Sequence, residues 1–317
     1  MLDRPEMPAV LLHDSAQMNK YIDNTRLLTS RIFCRLLVLL LTAAPGAVHA
    51  QDASSLRTHY VDLKDRLANN QFKRPLFLES GQTEGNLSGD IFALVDYPFA
   101  TVQQALQSVD HWCDILILHL NIKRCKTARM SDASRLLLAV GKKYDQPAEQ
   151  AYKLEIEYRL TATTPDYFQL QLHADEGPFG TKNYRIQFQA TPVEARRSFI
   201  HMSYSSGYGF AAGLAMRAYL ATFGRAKVGF SIVNRQPDGR PVYIRNMLGL
   251  VERNTMRYYL AIDAFLGAYA LPASAQVERR IHDWYASTER YATQLHEIEL
   301  SQYVAMKRKE IRRQRAE

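Results

Sequence analysis

Apolar and polar positions alternate strictly over much of the middle of the chain. Between residues 152 and 160, Leu154, Ile156 and Tyr158 fall on one side of an extended chain, and charged residues fall on the other. The segment 183–190 repeats this pattern. Further strand candidates occupy 89–97, 117–124, 135–143, 167–174 and 197–205. Successive strands with one apolar face predict an antiparallel sheet that is covered on one side and solvated on the other.

Apolar residues recur at helical spacing on both sides of the predicted sheet. In the N-terminal stretch 51–84 the spacing predicts a helix that ends at Asn69 and Asn70 and is followed by an irregular linker. A turn at 236–239 predicts a hairpin between the apolar runs 227–233 and 241–251. Further helices are predicted over 98–109, 210–223 and 255–270, the last of which ends before Pro272.

The longest periodic stretch follows Pro272. From 274 to 306, apolar or small residues recur every three or four positions and form one stripe along the predicted helix. Thr288 and Gln302 are polar residues within that stripe. The spacing predicts a long C-terminal helix over 272–317. That helix either lies along its own domain or pairs as a coiled coil, and the polar stripe leaves both interpretations open.

A short apolar run near the N terminus predicts export. Residues 36–41 read LLVLLL, with Arg31 and Arg35 before them and small residues after them. This pattern predicts a signal peptide over 1–50, cleaved between Ala50 and Gln51. The run is about half of the roughly 20 residues that a membrane-spanning helix needs. We therefore expect a periplasmic protein.

Two cysteines remain after the predicted cleavage, Cys113 and Cys125. In an oxidising compartment they predict a disulfide. Two alternatives stay open: free buried thiols, or a zinc site completed by His111 and His119. The residue types suit zinc, but their spacing matches no paired-ligand motif, so the disulfide is preferred and no metal is predicted.

The chain is basic, with a formal net charge of +8 and a sequence pI near 9.3. Part of the excess lies in KRKEIRRQR at 307–315. This tail is predicted either to contact a membrane surface or an acidic protein, or simply to be a solvated helix end whose cations suit the negative end of the helix dipole. Nucleic acid is discounted as a partner because an exported protein rarely meets it.

The order of elements and the opening segment GDIFALVDYPFATVQQALQSVDHWCDI resemble the START-like or Bet v 1-like helix-grip (SRPBCC) superfamily. The resemblance implies an α+β fold in which a curved antiparallel sheet grips the helix at 255–270. The extra helix at 210–223 and the long C-terminal helix depart from that family. Stretches such as VERNTMRYYLAIDAFL also resemble an uncharacterised group of exported proteobacterial proteins, which implies no activity. The predicted organisation is a signal peptide (1–50), an N-terminal helix and linker (51–84), a START-like domain (85–271) and a long C-terminal helix with a basic tail (272–317).

The resemblance further implies an apolar cavity between sheet and helix, able to take a lipid or another hydrophobic small molecule. Arg257 and Asp263 interrupt the apolar helix and are predicted either to anchor a ligand or to pair with Glu252 or Arg253. The inward-facing residues would equally make a filled core. These candidates are Leu154, Ile156, Tyr158, Phe168, Leu170, Ile186, Phe188, Ile200, Met202, Tyr204, Tyr259 and Phe265.

Motifs that carry catalysis are largely missing from the sequence. It contains no G-x-S-x-G, H-E-x-x-H, P-loop or paired C-x-x-C motif. GYGFAAG at 207–213 resembles a dinucleotide fingerprint, but its last spacing is one residue too long, and no cofactor is predicted. His173 and His201 alternate onto the polar face of the sheet, which makes them surface residues rather than catalytic bases.

Three hypotheses follow. The preferred one is a periplasmic binding or carrier protein for a hydrophobic molecule, without catalysis. The second is a scaffold that acts through the C-terminal helix, and the third is an enzyme of unknown reaction that uses the same cavity.

The signal-peptide prediction has a direct check. When the full chain is expressed in a Gram-negative host, intact mass and N-terminal sequencing of the periplasmic fraction should give a chain that begins at Gln51. A chain that keeps residues 36–41, or that stays in the cytoplasm, would contradict the prediction.

Overall fold

The computed structural model describes residues 46–130, 133–222 and 224–316. Residues 1–45, which hold most of the predicted signal peptide, lie outside this range, whereas Ala50 and Gln51 fall within the first described helix. The chain divides into two units, 1–51 and 52–317, and the second unit is described below.

The core of this unit is one eight-stranded antiparallel sheet. Its strands are β1 (Leu76–Thr83), β2 (Asn86–Val95), β3 (Ile122–Arg129), β4 (Ser134–Val140), β5 (Tyr152–Thr163), β6 (Phe168–Glu176), β7 (Thr181–Glu194) and β8 (Arg197–Tyr208). They are ordered β1-β2-β8-β7-β6-β5-β4-β3. We call the end of the sheet where β3, β5 and β7 begin and β4, β6 and β8 finish the upper end. A small separate hairpin is formed by β9 (Ile232–Arg235) and β10 (Pro241–Tyr243).

Helices lie on both faces of the sheet and after it. They are α1 (Gly46–Asp62), α2 (Lys64–Ala68), α3 (Phe99–Leu106), α4 (Val109–Leu116), α5 (Phe210–Ala221), α6 (Asn246–Ala268), α7 (Ala273–Glu289), α8 (Ala292–Leu295) and α9 (Leu300–Ala316). None of the helices that the structure describes is both long enough and apolar enough to cross a membrane.

The inner face of the curved sheet is covered mainly by α6. Sixteen of the 23 residues of α6 are buried, because this helix packs against β1, β2 and β8 on one side and against α4, α5 and α7 on others. A helix that is apolar around most of its surface is stable only when it is enclosed in this way. The order of strand, short helices, strands and long helix is the predicted α+β helix-grip fold.

The outer face is mostly polar, but α1 and α2 cover one part of it. Leu56 and Leu67 pack there against Phe92 of β2 and Phe199 of β8, in a cluster separate from the main core. The helical spacing predicted in 51–84 is therefore confirmed, and it serves the outer face. The predicted linker differs from the structure, because residues 76–83 form β1, whose eight residues pair with β2.

Three further segments differ from the sequence prediction. The apolar run at 117–124 begins with the turn that follows α4, and β3 starts only at Ile122. Trp112, Cys113 and Leu116 are buried at helical spacing within α4, just before this run. The helix predicted over 98–109 is α3, which ends earlier, at Leu106, and a second helix, α4, follows from Val109. The predicted strand 241–251 continues only to Tyr243, since α6 begins at Asn246.

The C-terminal region is helical, as predicted, and ends in the long helix α9. The helix predicted over 274–306 is not continuous, however, because the short helix α8 and non-helical residues separate α7 from α9. Tyr291 donates a hydrogen bond to the Phe72 carbonyl, and Glu297 turns towards cations on other elements. The buried side chains of α9, including Tyr303 and Lys307, face the turn before β3. The helix thus packs on its own domain.

Cys113 of α4 and Cys125 of β3 form a disulfide, with their Cα atoms 5.2 Å apart. The preferred prediction is confirmed, and neither sulfur remains free to bind zinc. The bond ties the short helices to the edge strand of the sheet, 12 residues further along the chain.

Loss of this disulfide should destabilise the fold. A loop of this length is worth about 3 kcal/mol through the entropy of the unfolded chain. The Cys113→Ser, Cys125→Ser double variant should therefore show a lower urea midpoint and a slope at least as steep as that of the wild type, because its unfolded chain is less constrained. Cys34→Ser, which changes a cysteine before the predicted cleavage point, should match the wild type. Equal midpoints for the double variant and the wild type would contradict this.

Candidate functional site

The twelve apolar candidates all lie in the main core, which covers the inner face of the sheet. Each is buried, and all belong to one continuous core cluster. Phe168 and Phe188 pack edge to face with ring centroids 6.3 Å apart, while Tyr259 and Phe265 reach the cluster from α6. These side chains are in contact with one another in this structure, so the apolar face forms a packed interior.

The groove that the structure describes lies elsewhere, on the outer face of β4, β5 and β6. It has a volume of about 360 Å³ and is lined mainly by polar side chains, among them Arg135, Glu155, Glu157 and His173. Sequence alternation places these four residues on the solvated face, and Leu154, one of the twelve apolar candidates, also contributes to the lining.

A row of polar-tipped aromatic rings crosses the upper end of the interior. His119 stacks on Tyr258 with centroids 5.0 Å apart, Tyr258 lies 5.5 Å from Tyr204, and Tyr204 lies 6.3 Å from Tyr184. Tyr204 was predicted to face inward. Tyr184 and Tyr258 were missed, because nothing in their local spacing distinguishes them from partly exposed tyrosines.

His119 holds a buried hydrogen-bond donor without an acceptor. Its Nδ1 accepts a hydrogen bond from the Asn121 backbone N–H at 3.2 Å, and burial, together with the charge of Arg257, lowers the pKa of His119 well below its usual value. The imidazole is therefore neutral, and its one proton is on Nε2. Among the described residues, Nε2 has no partner, and the Nε of Arg257 is likewise buried and unpartnered.

Arg257 belongs to a cluster in which three cations surround one carboxylate. Glu297 accepts hydrogen bonds from Lys143 at 2.6 Å, Arg257 at 2.9 Å and Lys227 at 2.8 Å. Burial alone would raise the pKa of Glu297, but these cations lower it to about 2. Burial lowers the pKa of Lys143 to about 8 despite Glu297, since Arg257 and Lys227 repel its charge. The cluster carries an excess of two positive charges when all three bases are protonated.

The second predicted anchor, Asp263, lies in a different place. It accepts a hydrogen bond from Arg74 at 3.1 Å, and the Arg74 guanidinium covers the ring of Tyr259. Arg257 and Asp263 therefore do not form one site. The structure pairs Arg257 with Glu297 and Asp263 with Arg74, while Glu252 is hydrogen bonded to Ser80 and Ser231.

The two histidines of the polar face lie on the outer side of the sheet, as the alternation predicts. His201 stacks on Phe92 at 4.2 Å and is hydrogen bonded to Asp90 and Gln189, at 2.8 Å each. His173 is hydrogen bonded to Asp175 and to the Tyr184 carbonyl. All four ring nitrogens therefore have partners on the outer face.

The basic tail is largely part of the domain. Lys307 is buried and donates hydrogen bonds to Glu310 and to the carbonyls of His119 and Ile122. Arg308 pairs with Glu278, and Lys309 pairs with a carboxylate of the loop after β4. The first cations of the tail thus fasten α9 to its own domain.

No protein-family model matches this chain, and no curated protein matches it. Solved structures that resemble it include the human StarD13 lipid transfer and protein localization domain (9% identity, 45% of this chain and 76% of that chain, TM-score 0.33). A second is Ara h 8.0201 (9% identity, 62% of this chain and 98% of that chain, TM-score 0.32). A third is norcoclaurine synthase from Thalictrum flavum (9% identity, 62% of this chain and 89% of that chain, TM-score 0.33). START-type and Bet v 1-type helix-grip structures are thus among those that the chain resembles, as predicted. At these TM-scores the similarities imply nothing about ligand or activity.

The cation cluster predicts a defined loss of stability in acid. Because the pKa of Glu297 is about 2 when folded and near 4.5 when unfolded, its contribution is complete above pH 4.5 and disappears as the pH falls towards 2. The wild type should lose about 3 kcal/mol more than Glu297→Gln over that window in urea unfolding. The exposed Glu299→Gln is the matched control and should follow the wild type. Parallel pH profiles for the wild type and Glu297→Gln would contradict the assignment.

Proposed function

We propose that this protein is an exported, periplasmic binding or carrier protein, without catalysis, for a hydrophobic molecule that carries a polar acceptor group. The apolar part of the ligand lies between α6 and the inner face of the sheet. Its polar group lies at the upper end, beside His119 and Arg257.

One observation carries the proposal: two buried donors, Nε2 of His119 and Nε of Arg257, have no acceptor among the described residues. A buried donor without an acceptor costs about 1–3 kcal/mol, so such groups are uncommon in stable interiors. A ligand oxygen would satisfy them. Both donors lie beside the tyrosine row, where the apolar interior meets the charged cluster.

The charge of this cluster supports an anionic polar group. Lys143, Lys227 and Arg257 exceed Glu297 by two charges, and a carboxylate or phosphate would neutralise part of that excess. Because the apolar face is packed in this structure, binding requires that core side chains shift or that α6 moves away from the sheet. Arg257 and Tyr258, at the middle of α6, mark the part of the helix that would have to move.

The disulfide supports the proposed export, and the packing of the C-terminal region argues against the scaffold hypothesis. A Cys113–Cys125 bond suits an oxidising compartment and so supports export. The scaffold hypothesis is less well supported, because α9 buries its periodic residues against its own domain. An enzyme that used the same interior would need catalytic side chains there. The polar groups at the upper end are hydrogen-bond donors and cations, which suit the binding of a ligand.

Titration with a fluorescent polyenoic fatty acid tests the proposal. The wild type should bind it saturably at one site. Lys143→Met, which removes a partly exposed cation, should weaken binding by about fivefold. Ile156→Trp, which fills the apolar face, should weaken it further.

Two matched variants separate the site from general effects. Lys309→Met removes a cation outside the cluster, and Lys153→Trp places the same large ring on the outer face of β5; both should bind like the wild type. Melting temperatures establish that all variants are folded. No binding by the wild type, or equal binding by all five proteins, would overturn the proposal.

A further inference from the structure

Helix α5 is apolar around most of its circumference, although it lies on the surface. It follows the end of β8 directly and therefore sits at the upper end of the sheet. Ala212, Met216 and Leu220, spaced four residues apart, turn towards the core. The helix packs on the domain through contacts with α6 and with the turn before β7.

The opposite side of α5 is exposed and carries almost no polar groups. Phe210 is 84% exposed and Leu214 is 57% exposed, the former being the most exposed large apolar side chain among the described residues. Ala211, Ala215 and Ala218 continue this face, which Arg217 borders. The outer side of a surface helix is normally polar, so a contiguous apolar face of this kind marks an interaction surface.

The chain around this face is strongly cationic. Residues 210–245 contain six basic residues and one acidic residue, Asp238. Asp238 pairs with Arg240, and Lys227 pairs with Glu297. Four arginines remain without a carboxylate partner among the residues that the structure describes: Arg217, Arg225, Arg235 and Arg245. Arg245 donates a hydrogen bond to the Arg225 carbonyl, which brings these two residues together just after α5.

We propose that α5 is an interfacial helix that docks this protein onto the anionic surface of a lipid bilayer. Phe210 and Leu214 enter the region between headgroups and acyl chains, while Arg217, Arg225 and Arg245 meet the phosphates. An exposed apolar face flanked by arginines is the combination that such a surface binds. A second copy of the chain is a poorer occupant, because a two-fold pairing through α5 would bring identical arginines together.

The proposal does not depend on the proposed ligand. It concerns the outside of the molecule, and vesicle binding can succeed or fail whatever the interior holds. If both proposals hold, the upper end of the sheet faces the membrane, and a hydrophobic ligand could pass between bilayer and interior with a short exposure to water.

Co-sedimentation with vesicles tests the docking surface. The full chain, expressed with its own N-terminal segment, is mixed with vesicles of phosphatidylcholine alone or with 30% phosphatidylglycerol, at low and at high salt. Binding should require phosphatidylglycerol and should weaken with salt. Phe210→Ser with Leu214→Ser should lower partitioning by roughly tenfold or more. Arg217→Gln and Arg225→Gln should each lower it by about fivefold.

The matched control is Leu137→Ser with Leu160→Ser, which removes two exposed leucines from the sheet and should leave partitioning unchanged. In a Phe210→Trp variant, the emission of the new tryptophan should shift to the blue on anionic vesicles only. Each of three results would overturn the proposal: equal partitioning of the Phe210, Leu214 variant and the wild type, no blue shift, or self-association through α5 without vesicle binding.

Discussion

The packing of α6 against the inner face of the sheet is the constraint on which the rest of the molecule depends. Its buried carboxylate, Glu252, accepts hydrogen bonds from Ser80 of β1, from Ser231 and from the backbone N–H of Phe230. One side chain therefore joins the helix to the edge of the sheet and to the loop before β9. Removing one partner of a buried charge leaves the other groups unsatisfied, so this junction fixes where α6 lies. The polar end of the interior and the cation cluster are arranged around the same helix.

Much of the fold could be predicted from the sequence because one-sided alternation is a local property. It placed β5, β6, β7 and β8, and the apolar length of α6 marked the helix that the sheet encloses. Predictions were wrong where an apolar run does not distinguish a strand from a turn, as at the start of 117–124, or a strand from a helix, as in the second half of 241–251. There the result depends on contacts with distant residues, such as the disulfide of Cys113 and the hydrogen bonds of Glu252.

The candidate site was predictable only in its apolar part. The twelve inward residues follow from alternation, whereas the cluster around Glu297 joins the loop after β4, the loop after α5, α6 and the segment before α9. No local spacing connects Lys143, Lys227, Arg257 and Glu297, which lie up to 154 residues apart. His119 was considered in the sequence as a zinc ligand. Its unpartnered Nε2 donor, however, depends on the hydrogen bond that its Nδ1 accepts from the Asn121 backbone N–H. Charged groups that act across the fold are specified by packing, which a sequence pattern does not show.

The proposed function requires that the space between α6 and the sheet hold a hydrophobic molecule with a polar group. Native mass spectrometry of protein purified under mild conditions from its periplasmic fraction, followed by organic extraction, measures this occupancy. We expect one bound apolar species per chain, recovered in the extract and reduced in Lys143→Met but not in Lys309→Met. A folded chain that is free of any bound species at every stage, and that takes up none when apolar extracts are added back, would contradict it.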